Sequence, residues 1–578
     1  MSAPPPDALE PGALEPGGLE PDDGAPQDNV RRGALLMFSG TAVSRLLGLL
    51  RGMVLAAAIG ATGQVADAFS VANKLPNILY QLLIGGTLNA VLVPQVVRAY
   101  RRRAGQEYVD RLLTLGFAVL GGSTVLLTLA SPLLVRLYAT PGSAAQLELA
   151  TVFAYWSVPQ MFFYGAYALI GQVLNARGSF GPYMWAPVAN NIVAIAGFGV
   201  FLVIFGPAAG AAEGWDVGRV ALVAGGSTLG IVAQAVVLVP FLRRAGVHYR
   251  VRWGFRGVGL GRAGQVTAWT LVRLVILQIG FVIVSRVASA APAAAALAEG
   301  RSPDEMTGVA GNAAYDYAYL VFMLPHSLIT LSLITALFTR LSGQASEGDL
   351  DGVRGSLSVG LRTTGVFTVG GAALLAVLAE PVVRIIVPTA AAADVRAVAA
   401  VVIAMVIGLP AFGAWSMCQR VYYAYEDARG MIVPQIVMTG VVIGGTLLGM
   451  AVAPPRTWVA ISGVAASVQY VIGTVMALVT IRRRIGRVDG TRVLTMHVRA
   501  TLAAVLASAV GVGVLLVFGS GSDVQVLGAL VRCVVVGSVM GLSYLGALRL
   551  LRVTELDLLL SSVRSVVRRL VRRSGGAG

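Results

Sequence analysis

From Ala34 onward the chain repeats one pattern: a long apolar run, a short polar break, then another apolar run. Runs of about 20 apolar residues are what a helix needs to cross the hydrocarbon of a bilayer. The pattern predicts fourteen such helices, with cores at 33–58, 68–97, 112–135, 149–174, 183–206, 217–242, 266–288, 312–339, 361–387, 397–422, 430–453, 458–481, 500–518 and 524–548. The first 30 residues break the pattern. Leu-Glu-Pro recurs at 9–11, 14–16 and 19–21, and seven acids occur with no base. Such a segment buries no core and is expected to be a disordered, Pro-rich acidic tail.

Composition gives the same class. The chain is 56% hydrophobic and only 12% charged, with a mean hydropathy of +0.77. Soluble domains carry roughly 25% charged residues, so an all-α polytopic membrane protein is expected. The net charge of +16 does not point to nucleic acid. Arginines in cytoplasmic loops orient a membrane protein and meet anionic headgroups. With the N-terminus placed in the cytoplasm, the loops and tails on that side hold 32 arginines and the opposite loops hold seven. An even number of spans with both termini cytoplasmic follows. Beyond Leu551, LDLLLSSVRSVVRRLVRR has the spacing of a basic amphipathic helix on an anionic lipid surface.

The chain also matches itself at an offset near 250 residues. Asp67 stands eight residues before Leu75-Pro76, and Asp316 eight before Leu324-Pro325. Leu134-Val135-Arg136 matches Val382-Val383-Arg384, and Val158-Pro159 matches Leu409-Pro410. Two six-span repeats in the same orientation are expected to be related by an axis along the membrane normal. The organisation read from this is a tail at 1–30, an N-lobe at 31–245, a C-lobe at 246–485, a final helix pair at 486–550 and a basic tail at 551–578. Prolines within spans, such as Pro76, Pro94, Pro159, Pro325 and Pro410, mark kinks.

Charges inside the first two spans are the candidate chemistry: Arg45, Arg51, Asp67 and Lys74, with Asn77 one turn on. A charge in hydrocarbon costs a few kcal/mol or more, about 2.5–3.5 on insertion scales, so such residues face a polar cavity. Three of the four charges are positive, which suits an anion such as a lipid-linked phosphate. Arg273 in span seven and Asp316 in span eight extend the set. The bland alternative is an Arg–Asp pair that fixes the first two helices. Cys418 and Cys533 lie alone, and the three histidines are scattered, so neither a disulfide nor a metal site is suggested. His326 reads as a packed, hydrogen-bonded residue or a member of a cavity. No nucleotide-binding signature is visible.

At Ser44-Arg45, Gly48, Arg51, Gly60-Ala61, Asp67-Ala68-Phe69, Lys74-Leu75-Pro76-Asn77 and Val93-Pro94 the chain resembles the N-terminal signature of the MurJ/MviN family of lipid II flippases, in the multidrug/oligosaccharidyl-lipid/polysaccharide exporter superfamily. The resemblance covers nearly all but the tails and is to a divergent, high-GC Gram-positive-like member. It implies two six-helix lobes, a groove for the lipid tail in the last two helices, and transport of an undecaprenyl-diphosphate-linked peptidoglycan precursor between leaflets. It further implies that Arg45 and Arg51 meet the diphosphate and that Asp67 is a gating or charge-balancing group. The chain departs from the family pattern where arginines are usual: Tyr80 and Gln81 follow the Leu-Pro-Asn segment, Gly85 replaces an acid, and Leu320 stands in span eight. Arg273 is a candidate replacement for one missing charge.

Other readings are a flippase for a different polyprenyl-diphosphate glycan, a cation-coupled exporter of small molecules, and a scaffold that recruits cell-wall synthesis enzymes through its tails. No cofactor is expected. Energy from the membrane potential or an ion gradient, with a monovalent cation as one option, is expected instead. An enzyme is not.

Overall fold

The computed structural model describes residues 27–83, 106–177, 179–208, 211–253, 262–303, 306–519 and 525–555. Every regular element among them is helical. In chain order these are α1 (Gln27–Ile59), α2 (Gln64–Leu83), α3 (Gln106–Leu129), α4 (Ser131–Tyr138), α5 (Ala144–Ser157), α6 (Gln160–Ala176), α7 (Phe180–Phe205) and α8 (Val217–Arg244, with a π-turn at Ala221–Gly225). There follow α9 (Arg262–Glu299), α10 (Asn312–Pro325), α11 (Leu331–Ser346), α12 (Leu350–Val377), α13 (Ala379–Ile386), α14 (Ala392–Val406) and α15 (Leu409–Ala424). The last four are α16 (Ile432–Val452), α17 (Trp458–Ile485), α18 (Gly490–Val517) and α19 (Val526–Leu550). Helix is the expected outcome, because hydrocarbon leaves each backbone amide no partner but its own chain.

Among the described residues nine helices are long and apolar enough to cross a membrane, or eleven if the bent pairs α3–α4 (70°) and α14–α15 (47°) each count once. The other three expected spans fall where helices stop or break. α2 is described only to Leu83, α5 and α6 meet at Val158-Pro159, and a π-turn at His326–Thr330 separates α10 from α11. Two expected boundaries are corrected. The acidic tail is expected to reach residue 30, yet α1 begins at Gln27, and no proline interrupts the helix from there to Ile59. The seventh span was expected to end at 288, yet α9 continues through Pro292 to Glu299 on an alanine-rich segment of high helix propensity. Pro94, Gly85, most of the acidic tail and the basic segment from Leu556 lie outside the described residues.

Residues matched at the 250-residue offset occupy matched places. Arg136 and Arg384 each sit in the last turn of a short helix, α4 and α13, that follows a long one. Pro159 and Pro410 each stand at the start of the second member of a broken pair, α6 and α15. Proline at a helix start is the position where its missing N–H costs nothing. The prolines after the matched acids behave differently. α2 runs on through Pro76, whereas α10 ends at Pro325 and gives way to the π-turn.

Buried apolar clusters are largely confined to one half of the chain. One spans Ala58 to Ala224 and another Ala56 to Val459. The end of α1 is shared: Ala58 and Ile59 belong to the first, and Ala56 and Ala61 to the second. α18 packs on α12 through Met496, Ala500, Ala503 and Ala504 against Val366 and Val369, and α19 sets Val536 and Met540 on Leu378. α2 packs directly against α10, which positions the site.

Candidate functional site

α2 and α10 begin at the same end of the bundle and run alongside each other, so residues a few positions into each helix meet. The Asp67 side chain is 1% exposed and points at the start of α10. Its Oδ1 accepts a hydrogen bond from the Ala313 backbone N–H at 2.8 Å. A carboxylate at a helix N-terminus satisfies an orphan donor and meets the positive end of the helix dipole. Here the cap comes from another helix. Asp67 Oδ2 has no hydrogen-bond partner among the described residues, and a Cβ at position 311 would stand 1.9 Å from it. Residue 311 must therefore be glycine for this contact to close.

Lys74 lies two turns along α2. Its Nζ pairs with Asp316 Oδ1 at 2.8 Å, donates to Asn312 Oδ1 at 3.4 Å and sits 5.4 Å from the Phe281 ring centroid. The Ser70 hydroxyl donates to the other Asp316 oxygen. Asn312 is clamped to α9, its Oδ1 accepting from the Ser285 hydroxyl and its Nδ2 donating to the Ser285 carbonyl, both at 2.9 Å. α2, α9 and α10 thus share one polar seam. Asp67 and Asp316, matched in sequence, differ in environment: the first is sealed, while the Asp316 side chain is 38% exposed.

That exposure faces a cavity of about 190 Å³ between α1, α2 and α10, lined by Arg51, Ser70, Asn73, Lys74, Asp316 and Tyr317 among others. Arg51 has no hydrogen bond or salt bridge among the described residues. Two cations and one acid line this space. Arg45 lies nearly two turns before Arg51 on α1, where its guanidinium donates to the Ser327 carbonyl in the π-turn. α1 and α10 also meet through the Tyr317 hydroxyl, which donates to the Gly52 carbonyl at 3.4 Å.

Residues 55–534 match the sequence model of the family described as "Lipid II flippase MurJ". The chain belongs to that family. It is 25% identical over 397 residues to the probable lipid II flippase MurJ of Rhizobium tropici, covering 67% of this chain and 70% of that one. The probable lipid II flippase MurJ of Vibrio cholerae is 26% identical over 414 residues, covering 69% and 73%. A solved lipid II flippase MurJ in an inward closed conformation superposes with a TM-score of 0.65 at 18% identity, covering 89% of this chain and 99% of that one. A multidrug resistance MATE family transporter in an inward-facing conformation gives 0.61 at 14% identity, covering 79% and 99%. The chain is therefore a multi-pass membrane transporter of the MurJ family and not an enzyme.

The sequence-predicted residues divide in this MurJ-family fold. Arg51, Lys74 and Asp316 meet at the cavity, whereas Asp67 is buried outside its lining, on the α10 N-terminus, and Arg45 stands beside the π-turn. Asn77 does not join them; it is exposed and accepts from Gln81 Nε2 at 2.8 Å. Arg273 does not replace a missing cavity charge, because it is held away from the cavity. Its Nη1 donates to the Tyr423 hydroxyl at 2.9 Å and its Nε to Gln435 Oε1 at 3.3 Å. Leu320 lines the cavity, and Tyr80 packs 5.7 Å from Tyr164, centroid to centroid. His326 is buried, its ring 4.4 Å from Phe412, but its Nδ1 has no partner among the described residues, so the expected hydrogen-bonded packing reduces to packing. Sequence reasoning missed Gly311, Asn312, Ser70 and Ser285. The Gly-Asn pair opening a helix was the available signal.

Proposed function

We propose that this chain flips lipid II by alternating access, with the α2–α10 seam as the closed gate at the α1–α2 turn and the Arg51–Lys74 cavity as the diphosphate site. The observation that carries the reading is the cavity itself: two cations and one acid between helices from both halves, on the same pair of helices that Asp67 ties together at the α10 N-terminus. Guanidinium forks match phosphate oxygens, and contacts strengthen in a low dielectric. At about 190 Å³ the cavity lies below the roughly 300–1,000 Å³ of ordinary ligand sites. A glycopeptide headgroup enters only when α1 and α2 part from α9 and α10. Asp316 then serves as the acid that reclaims Lys74 when cargo leaves.

With both termini in the cytoplasm, the gate faces outward and cargo loads from inside. The empty cavity keeps a net positive charge, so an inside-negative potential draws it back, at about 2.3 kcal/mol per charge per 100 mV. An ion gradient, with a monovalent cation, is the other energy source in keeping with this reading. The basic segment 551–578 would rest on anionic lipid, and the tails would be the place for cell-wall synthesis enzymes to dock.

The test is outer-leaflet exposure of lipid II in cells depleted of the protein and rescued by wild type or by Arg51→Ala. Loss on depletion with rescue by wild type alone supports the reading. Unchanged exposure with another polyprenyl-diphosphate glycan trapped inside reassigns the cargo. Full rescue by Arg51→Ala removes the site.

A further inference from the structure

A second cavity, of about 330 Å³, shares no lining residue with the Arg51–Lys74 cavity and lies between the start of α18 and the turn after α19. Its polar lining is Thr491, Arg492, Thr495 and Arg499 from α18, with Arg552 and Thr554 beyond α19. None of the three arginines forms a salt bridge among the described residues. Arg499 Nη1 donates only to the Arg552 carbonyl, at 3.2 Å. Glu555 also borders the cavity, but its carboxylate is engaged by the buried Arg362 of α12. The acid is thus neutralised, and the cavity keeps three positive charges without internal compensation.

The backbone is bent to put one of them there. Arg552 has φ +55°, in the left-handed region. Its N–H donates to the Arg549 carbonyl and that of Val553 to the Leu548 carbonyl, both at 3.0 Å. This is the helix-ending turn in which glycine is usual, since a side chain is strained at that φ. Here the strained position carries a guanidinium at the cavity wall instead.

We infer that this cavity binds a phosphate group, and that its source is the headgroup of an anionic membrane lipid. Three guanidinium forks, three hydroxyls and the first turn of α18 are all donors suited to phosphate oxygens. The lipid source follows from the rest of α18. Thr491, Thr495 and Arg499 lie on one face, and Leu502 and Leu506 continue that face at helical spacing. Both leucines are exposed, at 52% and 56%, while Ala500, Ala503, Ala504 and Ala507 on the other side are buried. A headgroup among the arginines therefore has an apolar track for its acyl chains. Basic pockets at the ends of membrane helices bind such headgroups. The Arg362–Glu555 pair ties the cavity wall to α12, so occupancy clamps the α18–α19 pair to the rest of the fold.

The experiment is thermal unfolding of the full-length protein in phosphatidylcholine nanodiscs, with and without phosphatidylglycerol, and separately with soluble glycerol phosphate. Phosphatidylglycerol should raise the midpoint by several degrees. Arg492→Ala/Arg499→Ala should lose at least half of that rise. Arg552→Gly is the control for folding: glycine suits the backbone, so it should melt at or above wild type in phosphatidylcholine alone while losing part of the rise. A rise from glycerol phosphate that the same variants abolish keeps the phosphate site and overturns the lipid source. An undiminished rise in every variant overturns the site and moves lipid binding to the arginines of 564–573. No rise in wild type overturns it outright.

Discussion

Lys74 and Asp316 join α2 to α10 through a 2.8 Å ion pair that is half open to the cavity: the lysine side chain is 14% exposed and the aspartate 38%. Fully exposed pairs contribute about 0.2–1 kcal/mol, and breaking a buried one costs about 3–5. This pair lies between the two limits, with a coupling of about 1–3 kcal/mol. Lys74→Met leaves Asp316 uncompensated, and Asp316→Asn leaves Lys74 free. Either variant should lower lipid II exposure and melting temperature. The double variant should recover the melting temperature but not the exposure, because a cation of the cavity is gone. Recovery of both would make the pair a purely structural one.

The Asp67 cap and Gly311 form a single device. Asp67→Ala removes the cap and should cost about 1 kcal/mol of closed-state stability. Gly311→Ala should cost a similar amount, because its Cβ would stand 1.9 Å from Asp67 Oδ2 and force the carboxylate off the α10 amides. The two changes share one interaction, so Asp67→Ala/Gly311→Ala should be no worse than Asp67→Ala alone. Hydrogen exchange over the first turn of α10 reads this directly, with faster exchange expected at Ala313 in all three. Additive losses would mean that Gly311 matters for another reason.

Much of this was legible in the sequence because bilayer physics is restrictive. Apolar runs had to be helices, and Arg51, Lys74, Asp67 and Asp316 were conspicuous as charges within them. Pairings were not legible. Lys74 reaches Asp316 and Asn312 only because α2 and α10 start at the same end, which no local pattern encodes. Arg273 misled for the same reason: its depth in α9 was visible, but not that α15 and α16 present Tyr423 and Gln435 to it. Span ends were blurred where proline was tolerated, as at Pro292 in α9. The Arg552 turn was invisible, since sequence gives an arginine no sign of a positive φ.

Arg51 and Arg45 should respond differently despite lying on one helix. Arg51 has no hydrogen bond or salt bridge to lose among the described residues, so Arg51→Ala should leave stability within about 0.5 kcal/mol. It should nevertheless reduce lipid II exposure about tenfold or more, since a hydrogen bond to a charged group contributes about 1.5–3 kcal/mol. Arg51→Lys should keep part of the activity, retaining the charge without the fork. Arg45→Ala should lose stability as well, because the Ser327 carbonyl loses its donor. Equal melting temperatures for Arg45→Ala and Arg51→Ala would contradict this division.

Arg273 provides the opposite test. Its guanidinium is shared between Tyr423 and Gln435, and with the Gln419 carbonyl turned toward it Nη2 donates there at 2.6 Å while the same oxygen accepts from Trp415 Nε1 at 2.9 Å. These contacts knit α9 to α15 and α16, away from the cavity of Arg51 and Lys74. Arg273→Ala strips the donor from several half-buried acceptors, each worth about 1 kcal/mol net. The melting temperature should fall, while binding of a diphosphate probe to the protein that remains folded should match wild type. Arg273→Met, which keeps the stem packing, should fall less. A diphosphate affinity reduced tenfold in Arg273→Met at an unchanged melting temperature would return Arg273 to the substrate path, and would require α9 to turn during transport.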